Sequence, residues 1–442
     1  MRACSIRIRW PMVFPMSASK QMIRALAWLS GLLALAPLAC AQTPKLNLGL
    51  NVEQMLAVGG ETKNLDQARL TLLPEARLRW KRNWSAELGL RLEATGSDTG
   101  LGTLSTYDDN SQPIEFGSDA RLEIDTAVIS WRKRANRVTV GKQTLAWGVL
   151  DGLQITDRFD AVRRREGIFT PNRPERISRW GMRLETKWAG IQWDAATVFD
   201  GTGDQFAKSG DIFDIRAPRL RGGLPAGAPL PELDVSVSNK MTYGLRARRS
   251  LGAADVGLLV IQGPDTEPVI TSEGGQLTLD YPSRTLLGMT LQRGSGNRVW
   301  RFEAAFIPDQ RVNLISPTPV TGQRKRLLAG VGLDWDLPDS VFLNLQLGVD
   351  SISGKGAVRQ DTDVITTLRL QKSFANDRLR ASTEILSNLV DGDGTFRPGV
   401  AWQVNDALRL ETGLDLIWGE VDGLIGQFNG DDRVWLRATW AI

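Results

Sequence analysis

The most chemically distinctive stretch of this 442-residue chain is a cluster of arginines between residues 148 and 183. Eight arginines stand there against five acids, which leaves a local formal charge of +3. A guanidinium stays protonated at any working pH and presents a planar fork that matches carboxylates and phosphates. Such side chains around a constriction lower the barrier for anions and raise it for cations. The predicted anion path contains Arg158, Arg163, Arg164, Arg165, Arg173, Arg176, Arg179 and Arg183, with the acids Asp151 and Asp157.

Catalytic chemistry has little support in the composition. The chain contains no histidine, so it forms no Ser-His-Asp triad and no histidine zinc site. Both cysteines, Cys4 and Cys40, fall in the first 41 residues. The segments 348–356 and 391–393 resemble phosphate and calcium loops only in part, because the ligands that complete such loops are missing. The sequence therefore predicts no enzyme, no cofactor and no metal site.

The first 41 residues predict a cleaved secretory signal peptide. Basic residues open the chain, an apolar run covers 25–36, and Ala39-Cys40-Ala41 supplies a small-residue cleavage site. The apolar run is too short to span a bilayer. This segment holds five basic residues and no acid, so removing it takes the formal charge from +4 to about −1. A nucleic-acid partner is therefore not predicted.

Residues 42–442 predict a closed antiparallel transmembrane β-barrel. Segments of about ten residues alternate apolar and polar side chains, the period of a strand with one face in lipid and one in an aqueous lumen. Short connections are predicted at 81–83, 133–136, 189–190, 250–253, 294–297, 336–339, 373–377 and 405–407. They alternate without a break with longer segments at about 57–67, 95–119, 148–178, 201–239, 262–283, 308–323, 351–361, 388–395 and 419–432, as the periplasmic turns and outer loops of bacterial barrels do. This pattern gives about eighteen strands, with sixteen as the alternative, and both termini on the periplasmic side.

The ends of the predicted strands fit a bacterial outer membrane. Most tryptophans fall near strand ends, where aromatic girdles meet the lipid head groups. The last segment, 434–442, carries an apolar residue at every second position and ends in Trp440 and Ile442. It resembles the C-terminal signal that the barrel assembly machinery reads, although the usual terminal Phe is absent. Outer-membrane lipids, lipopolysaccharide and the assembly machinery are the expected partners, beside a small-molecule or polysaccharide solute.

Parity along the strands identifies charged side chains that should face the lumen. Residues that alternate with the apolar series point to the opposite face of a strand. The predicted pore wall consists of Arg77, Arg79, Arg246, Arg248, Arg301, Arg326 and Arg409, with Glu303 and Glu411 among the counter-charges.

The arginine-rich loop, residues 148–178, follows the fifth predicted strand on the outer side. It is long enough to fold back into the barrel as a constriction. The alternative is a surface loop whose arginines bind lipopolysaccharide phosphates or pair with neighbouring acids. Thr156 and Asp157 are good helix caps, so a short helix is expected over 157–167.

Two stretches resemble one family of Gram-negative outer-membrane barrels known as a domain of unknown function. Gly141-Lys142-Gln143, Trp147-Gly148, Asp151-Gly152 and Asp157 are similar to its G-R/K-Q…W-G…D-G…D pattern, and Gly426-Gln427-Phe428 with Asp432-Arg433-Val434 to its closing G-Q-F…D-R-V. That family is similar in pattern to the alginate-export porins. The resemblance implies an eighteen-stranded barrel with an arginine-rich pore.

Together these features predict an outer-membrane channel that passes small or chain-like, anionic solutes by passive diffusion. One alternative is a transporter for apolar or aromatic compounds in which loop 148–178 is a plug. Another is a closed barrel with a structural or surface-binding role.

Overall fold

The computed structural model describes residues 44–60, 65–96, 106–165, 175–207, 211–226, 233–238, 240–273 and 275–442. The predicted signal peptide and Arg173 lie outside these residues. The strands are β1 (Lys45–Gly59), β2 (Leu65–Trp80), β3 (Trp84–Thr95), β4 (Ile114–Phe116), β5 (Ala120–Lys133), β6 (Asn136–Gln143), β7 (Ala161–Arg164), β8 (Arg176–Ile177), β9 (Arg179–Trp188), β10 (Ile191–Val198), β11 (Gln205–Phe206), β12 (Leu233–Ser236), β13 (Thr242–Leu251), β14 (Ala254–Pro264), β15 (Val269–Glu273), β16 (Gln276–Asp280), β17 (Ser283–Ser295), β18 (Arg298–Leu314), β19 (Val320–Leu337), β20 (Val341–Ile352), β21 (Thr362–Phe374), β22 (Leu379–Asn388), β23 (Asp393–Gln403), β24 (Leu408–Trp418) and β25 (Arg433–Ala441).

Eighteen of these strands close into one antiparallel barrel, which confirms the predicted fold and the higher of the two strand numbers. The barrel contains β1–β3, β5, β6, β9, β10, β13, β14 and β17–β25, each paired with its neighbour along the chain. Pairing of β1 with β25, from Asn51 opposite Ala441 to Gly59 opposite Arg433, closes the ring. Closure satisfies the edge hydrogen bonds that an open sheet leaves unpaired in lipid. Strand β4 extends one side of β5.

Side chains alternate across the wall as the sequence predicts. On β18, Trp300, Phe302 and Phe306 are exposed, whereas Glu303 and Ala305 between them are buried. The exposed series forms an apolar outer band, and the alternate series points into the lumen. No helix among the described residues is long and apolar enough to cross a membrane.

The eight short connections lie where the sequence predicts them. At one of them, Ala189 and Gly190 have φ angles of 52° and 76°, the left-handed pair that a tight two-residue hairpin requires. The described chain ends lie at this same end of the barrel, since Lys45 is opposite Arg79 near the first short turn. We call it the short-turn end and the opposite one the long-loop end.

Two long connections are shorter than expected. Strands β18 and β19 continue until only 315–319 remains between them, against the predicted 308–323. Strands β22 and β23 are joined by 389–392, against 388–395. The flanking residues are polar and therefore resemble loop. Strand pairing needs only a partner backbone, so a hairpin can extend beyond the apolar band.

The predicted helix over 157–167 is wrong for its described residues, 157–165. Residues Ala161–Arg164 form strand β7, which pairs with β8 on one side and with β11 on the other. These distant segments supply the backbone partners that a helix would otherwise supply internally, so tertiary contacts override the local capping signal.

Candidate solute path and inward loop

The described parts of the connection between β6 and β9, residues 144–165 and 175–178, fold into the barrel. Its apolar side chains Trp147, Leu150 and Phe159 are buried. They share one core cluster with wall residues that include Ile307 and Leu328. Because these wall residues alternate with exposed apolar ones, they belong to the inner face. The loop therefore lies against the inside of the wall, as the sequence analysis expected for 148–178.

Glycines on the inner wall make room for these side chains. A Cβ atom at Gly330 would lie 2.6 Å from Leu150 Cδ1, and one at Gly332 would lie 2.7 Å from Leu150 Cδ2. At Gly244 an added Cβ would meet the Phe159 ring and would lie 2.6 Å from the Trp147 ring. The wall here is bare backbone, so the loop approaches it closely.

Glu303 fastens the tip of the loop to the wall. Its carboxylate on β18 accepts hydrogen bonds from the backbone amides of Leu150 (2.7 Å) and Thr156 (2.9 Å), from the Thr156 hydroxyl (2.6 Å), and from the amide of Val149. Gln346 on β20 adds a bond to the Asp151 carbonyl. Glu303 is 3 % exposed, so this predicted wall acid holds the loop and does not face the open lumen.

The arginines in the middle of the loop form buried ion pairs with acids from other parts of the chain. Arg163 lies 2.6 Å from Glu123 on β5, and Arg165 lies 3.0 Å from Glu93 on β3. Two further pairs join loops at the long-loop end, at 2.7 Å and 2.8 Å, and these are Arg164–Asp204 and Arg158–Glu267. Their charges are compensated, so these guanidinium groups hold the loop in the lumen.

The remaining described arginines of the predicted path are also engaged. Arg176 pairs with Asp157, whose carboxylate also accepts the Trp147 amide. Arg179 donates to the Phe159 carbonyl. Arg183 makes a two-pronged contact with Asp194 at 2.6 Å and 2.9 Å.

Burial changes the titration of the acids around the loop. Burial alone raises the pKa of a carboxyl, but Arg158, Arg326 and Arg164 hold the pKa of Glu267 well below its usual range. Asp160 has weaker compensation. Burial raises its pKa to about 6 against the opposing effects of Arg179 and the Leu145 amide. Asp160 is therefore the loop acid that titrates nearest neutrality among those with a described shift.

Most of the predicted wall residues face the lumen in opposite-charge pairs. Asp151, at the tip of the loop, has a 55 % exposed side chain 3.7 Å from Arg301. The other pairs are Arg77 with Glu75 and Glu87, Arg246 with Asp194, Arg301 with Asp334, Arg326 with Asp350 and Glu267, and Arg409 with Glu411.

Four lumen-facing arginines at the short-turn end stand apart from this pairing. The side chains of Arg79, Arg132, Arg248 and Arg380 have no hydrogen-bond or ion-pair partner in the described part of the chain. They lie on β2, β5, β13 and β22, the second, fourth, eighth and fifteenth of the eighteen barrel strands, and they add positive charge on several sides of this mouth. Parity identified Arg79 and Arg248; Arg132 and Arg380 were missed, although they alternate in the same way with the apolar residues of their strands.

A second inward segment was also missed. Residues from the β10–β13 connection reach across to the opposite wall, where Phe213 packs edge-on against Phe428 at 5.8 Å. Arg219 lies 3.0 Å from Asp391 and also contacts Asp363 on β21. The only sequence signal was the length of this connection. Several connections therefore pack inside the long-loop end, whereas inward side chains near the short turns, such as Arg77 and Arg79, are exposed.

Solved structures similar to this chain are bacterial barrels. OccAB3 of Acinetobacter baumannii has a TM-score of 0.52 at 10 % identity over 90 % of this chain and 99 % of that one. A BenF-like porin from Pseudomonas fluorescens Pf-5 has 0.51 at 10 % over 91 % and 98 %. OccK9 (OpdG) of Pseudomonas aeruginosa has 0.50 at 12 % over 90 % and 98 %.

No protein-family model and no curated protein sequence matches the chain. The similarity to alginate-export porins therefore stays a prediction. At such low identity the solved structures establish the fold alone, a closed antiparallel β-barrel, which the strand pairing also shows.

Proposed function

We propose that this chain is a non-enzymatic channel of a Gram-negative outer membrane that passes small solutes by passive diffusion and prefers anions. An apolar outer band, a charged lumen and similarity in fold to a protein described as a porin support the channel. The short turns and both chain ends would then face the periplasm.

The unpaired guanidinium groups of Arg79, Arg132, Arg248 and Arg380 carry the anion preference. Uncompensated guanidinium groups at a mouth raise the local concentration of anions and repel cations. The loop arginines contribute less to this field, because buried acids neutralise them at contact distance. Their task in this proposal is to set how far the inward loop narrows the lumen.

Reversal potentials in planar bilayers under a potassium chloride gradient test the proposal. Wild-type protein should prefer chloride, and the combined replacement Arg79→Gln, Arg132→Gln, Arg248→Gln and Arg380→Gln should move the reversal potential toward potassium. Arg293→Gln is the matched control. Arg293 is exposed on β17 and also lies at the short-turn end, but its side chain has the parity of the outer face of the barrel. A change as large in the control would show that general surface charge is responsible.

The alternatives predict other results. A transporter for apolar compounds would offer its solute the apolar side chains of the loop, whereas Trp147 and Phe159 are covered by the wall. A closed structural barrel would show no conductance, even after deletion of residues 148–165. That outcome would rule out passage of solutes altogether.

A further inference from the structure

One tryptophan of the barrel strands faces inward, whereas the other tryptophans on these strands face outward. Twelve tryptophans lie on the described barrel strands, and eleven of them have the parity of the lipid-facing side chains. Trp435 on β25 is the exception, since it pairs with Gly413 and with Ala57, and Ala57 is 0 % exposed on the inner face. The eleven are Trp80, Trp84, Trp131, Trp180, Trp188, Trp193, Trp300, Trp335, Trp402, Trp418 and Trp440.

The wall is shaped to hold this indole. A Cβ atom at Gly413 would lie 2.6 Å from Trp435 Cζ2, and one at Gly399 would lie 3.8 Å from it. The ring therefore rests on the bare backbone of β24 and β23. Its Nε1 donates to Asp415 at 3.1 Å, which fixes the edge of the ring. Asp415 is itself bound by Arg433.

Trp435 lies at the boundary between the part of the inner wall that the loops cover and the part that they leave exposed. Arg433 is the next inward-facing residue of β25 toward the long-loop end; it is 3 % exposed and its guanidinium lies 4.9 Å from the Phe213 ring centre. Arg437 is the next inward-facing residue toward the short-turn end, and its side chain is 31 % exposed. Trp435 itself is partly exposed, so a part of its ring is open to a solute in the lumen.

Hydrogen-bonding groups of both kinds lie beside the ring on the lumen side. The Arg437 guanidinium lies over the ring, 5.6 Å from its centre, and is 3.5 Å from Glu53 and 3.9 Å from Glu411. Arg409 lies 2.6 Å from the same Glu411. These partly exposed pairs offer donors and acceptors together. They do not offer an isolated positive charge.

From this arrangement we infer that Trp435 is a stacking platform for a hydroxylated ring, that is, for a sugar passing through the lumen. The apolar face of a pyranose stacks on an indole, while its hydroxyl groups need both donors and acceptors at the rim. A planar aromatic acid would instead need an unpaired cation beside the ring, and Arg437 and Arg409 are both paired. The inference rests on the proposed channel function and names the class of solute that its wall recognises.

Current blockade by maltotriose tests the inference in single-channel recordings. Brief, concentration-dependent interruptions of the wild-type current are expected. Because a stacking contact is lost, Trp435→Ala should raise the half-blocking concentration about tenfold, whereas Trp435→Phe should raise it only about threefold. Arg437→Gln removes a donor and should raise it about fivefold. Trp440→Ala on the same strand faces lipid and should leave it unchanged.

The outcomes separate this inference from the channel itself. Conductance in potassium chloride alone tests passage, and it does not depend on sugar. A conducting wild-type channel that maltotriose does not interrupt overturns the inference and leaves the channel standing. Interruption by benzoate without interruption by maltotriose would overturn it in favour of planar acids. Equal blockade of wild type, Trp435→Phe and Arg437→Gln would place the contact elsewhere.

Discussion

The Arg163 guanidinium, on the inward loop, lies 2.6 Å from the Glu123 carboxylate on β5, and both side chains are at most 2 % exposed. Removing one member leaves the other charged and buried, which costs about 3–5 kcal/mol. Arg163→Met should therefore release the loop, seen as faster hydrogen exchange in a peptide covering 158–165. Arg77→Met, at an exposed pair, is the control and should change little. Unchanged exchange in Arg163→Met would show that this pair does not hold the loop.

Replacing Glu303 should free the tip of the loop. Its carboxylate accepts four hydrogen bonds from the segment 149–156. Glu303→Ala should therefore give larger and noisier single-channel currents, and Glu303→Gln an intermediate effect. Glu411→Gln, a lumen acid away from the loop, should keep the quiet current of the wild type. Identical currents in all three variants would contradict a role for Glu303 as an anchor.

Filling the bare wall should displace the loop without touching a charge. Gly244→Ala would bring a methyl group into the rings of Trp147 and Phe159, and overpacking of this kind costs about 1–3 kcal/mol. Gly294→Ala is the control for Gly244→Ala. Gly294, on β17, also faces inward, but nothing lies within 4 Å of the added carbon. Exchange of the 144–160 amides should rise in Gly244→Ala alone. A rise in both variants would point to a general effect on the barrel.

Docking of the loop should weaken as the pH rises through about 6. Burial raises the Asp160 pKa from 3.8 to about 6, so the docked loop holds a proton that the released loop has lost. Protonated Asp160 makes its full contribution to the free energy of docking below pH 3.8. That contribution, about 3 kcal/mol, is lost as the pH rises through the pKa of Asp160 in the docked loop. Amide exchange in 144–160, corrected for its intrinsic pH dependence, should report the change.

Asp160→Asn keeps an acceptor for the Leu145 amide but cannot titrate. Its loop should show the same corrected exchange at pH 4.5 and pH 7.5. A pH dependence equal to that of the wild type would assign the titration to another group.

Sequence alone was sufficient for the wall of the barrel. Alternation is a local property of an extended chain, because neighbouring side chains point to opposite faces whatever the rest of the protein does. The parity of Trp300, Arg301, Phe302 and Glu303 therefore predicted which side each would face. The short turns fixed the strand number, since each joins neighbours that must be antiparallel.

Only the tertiary structure decided what the charges do. Arg163, Arg165 and Arg158 find acids 40, 72 and 109 residues away, on strands and loops that meet only after the barrel closes. Charge and parity alone do not distinguish these arginines from Arg248. Closure buried the loop arginines beside Glu123, Glu93 and Glu267 and left Arg248 without a partner among the described residues. Alternation along a strand sets which face a side chain takes, whereas the register and curvature of the closed barrel decide which distant residue lies opposite it.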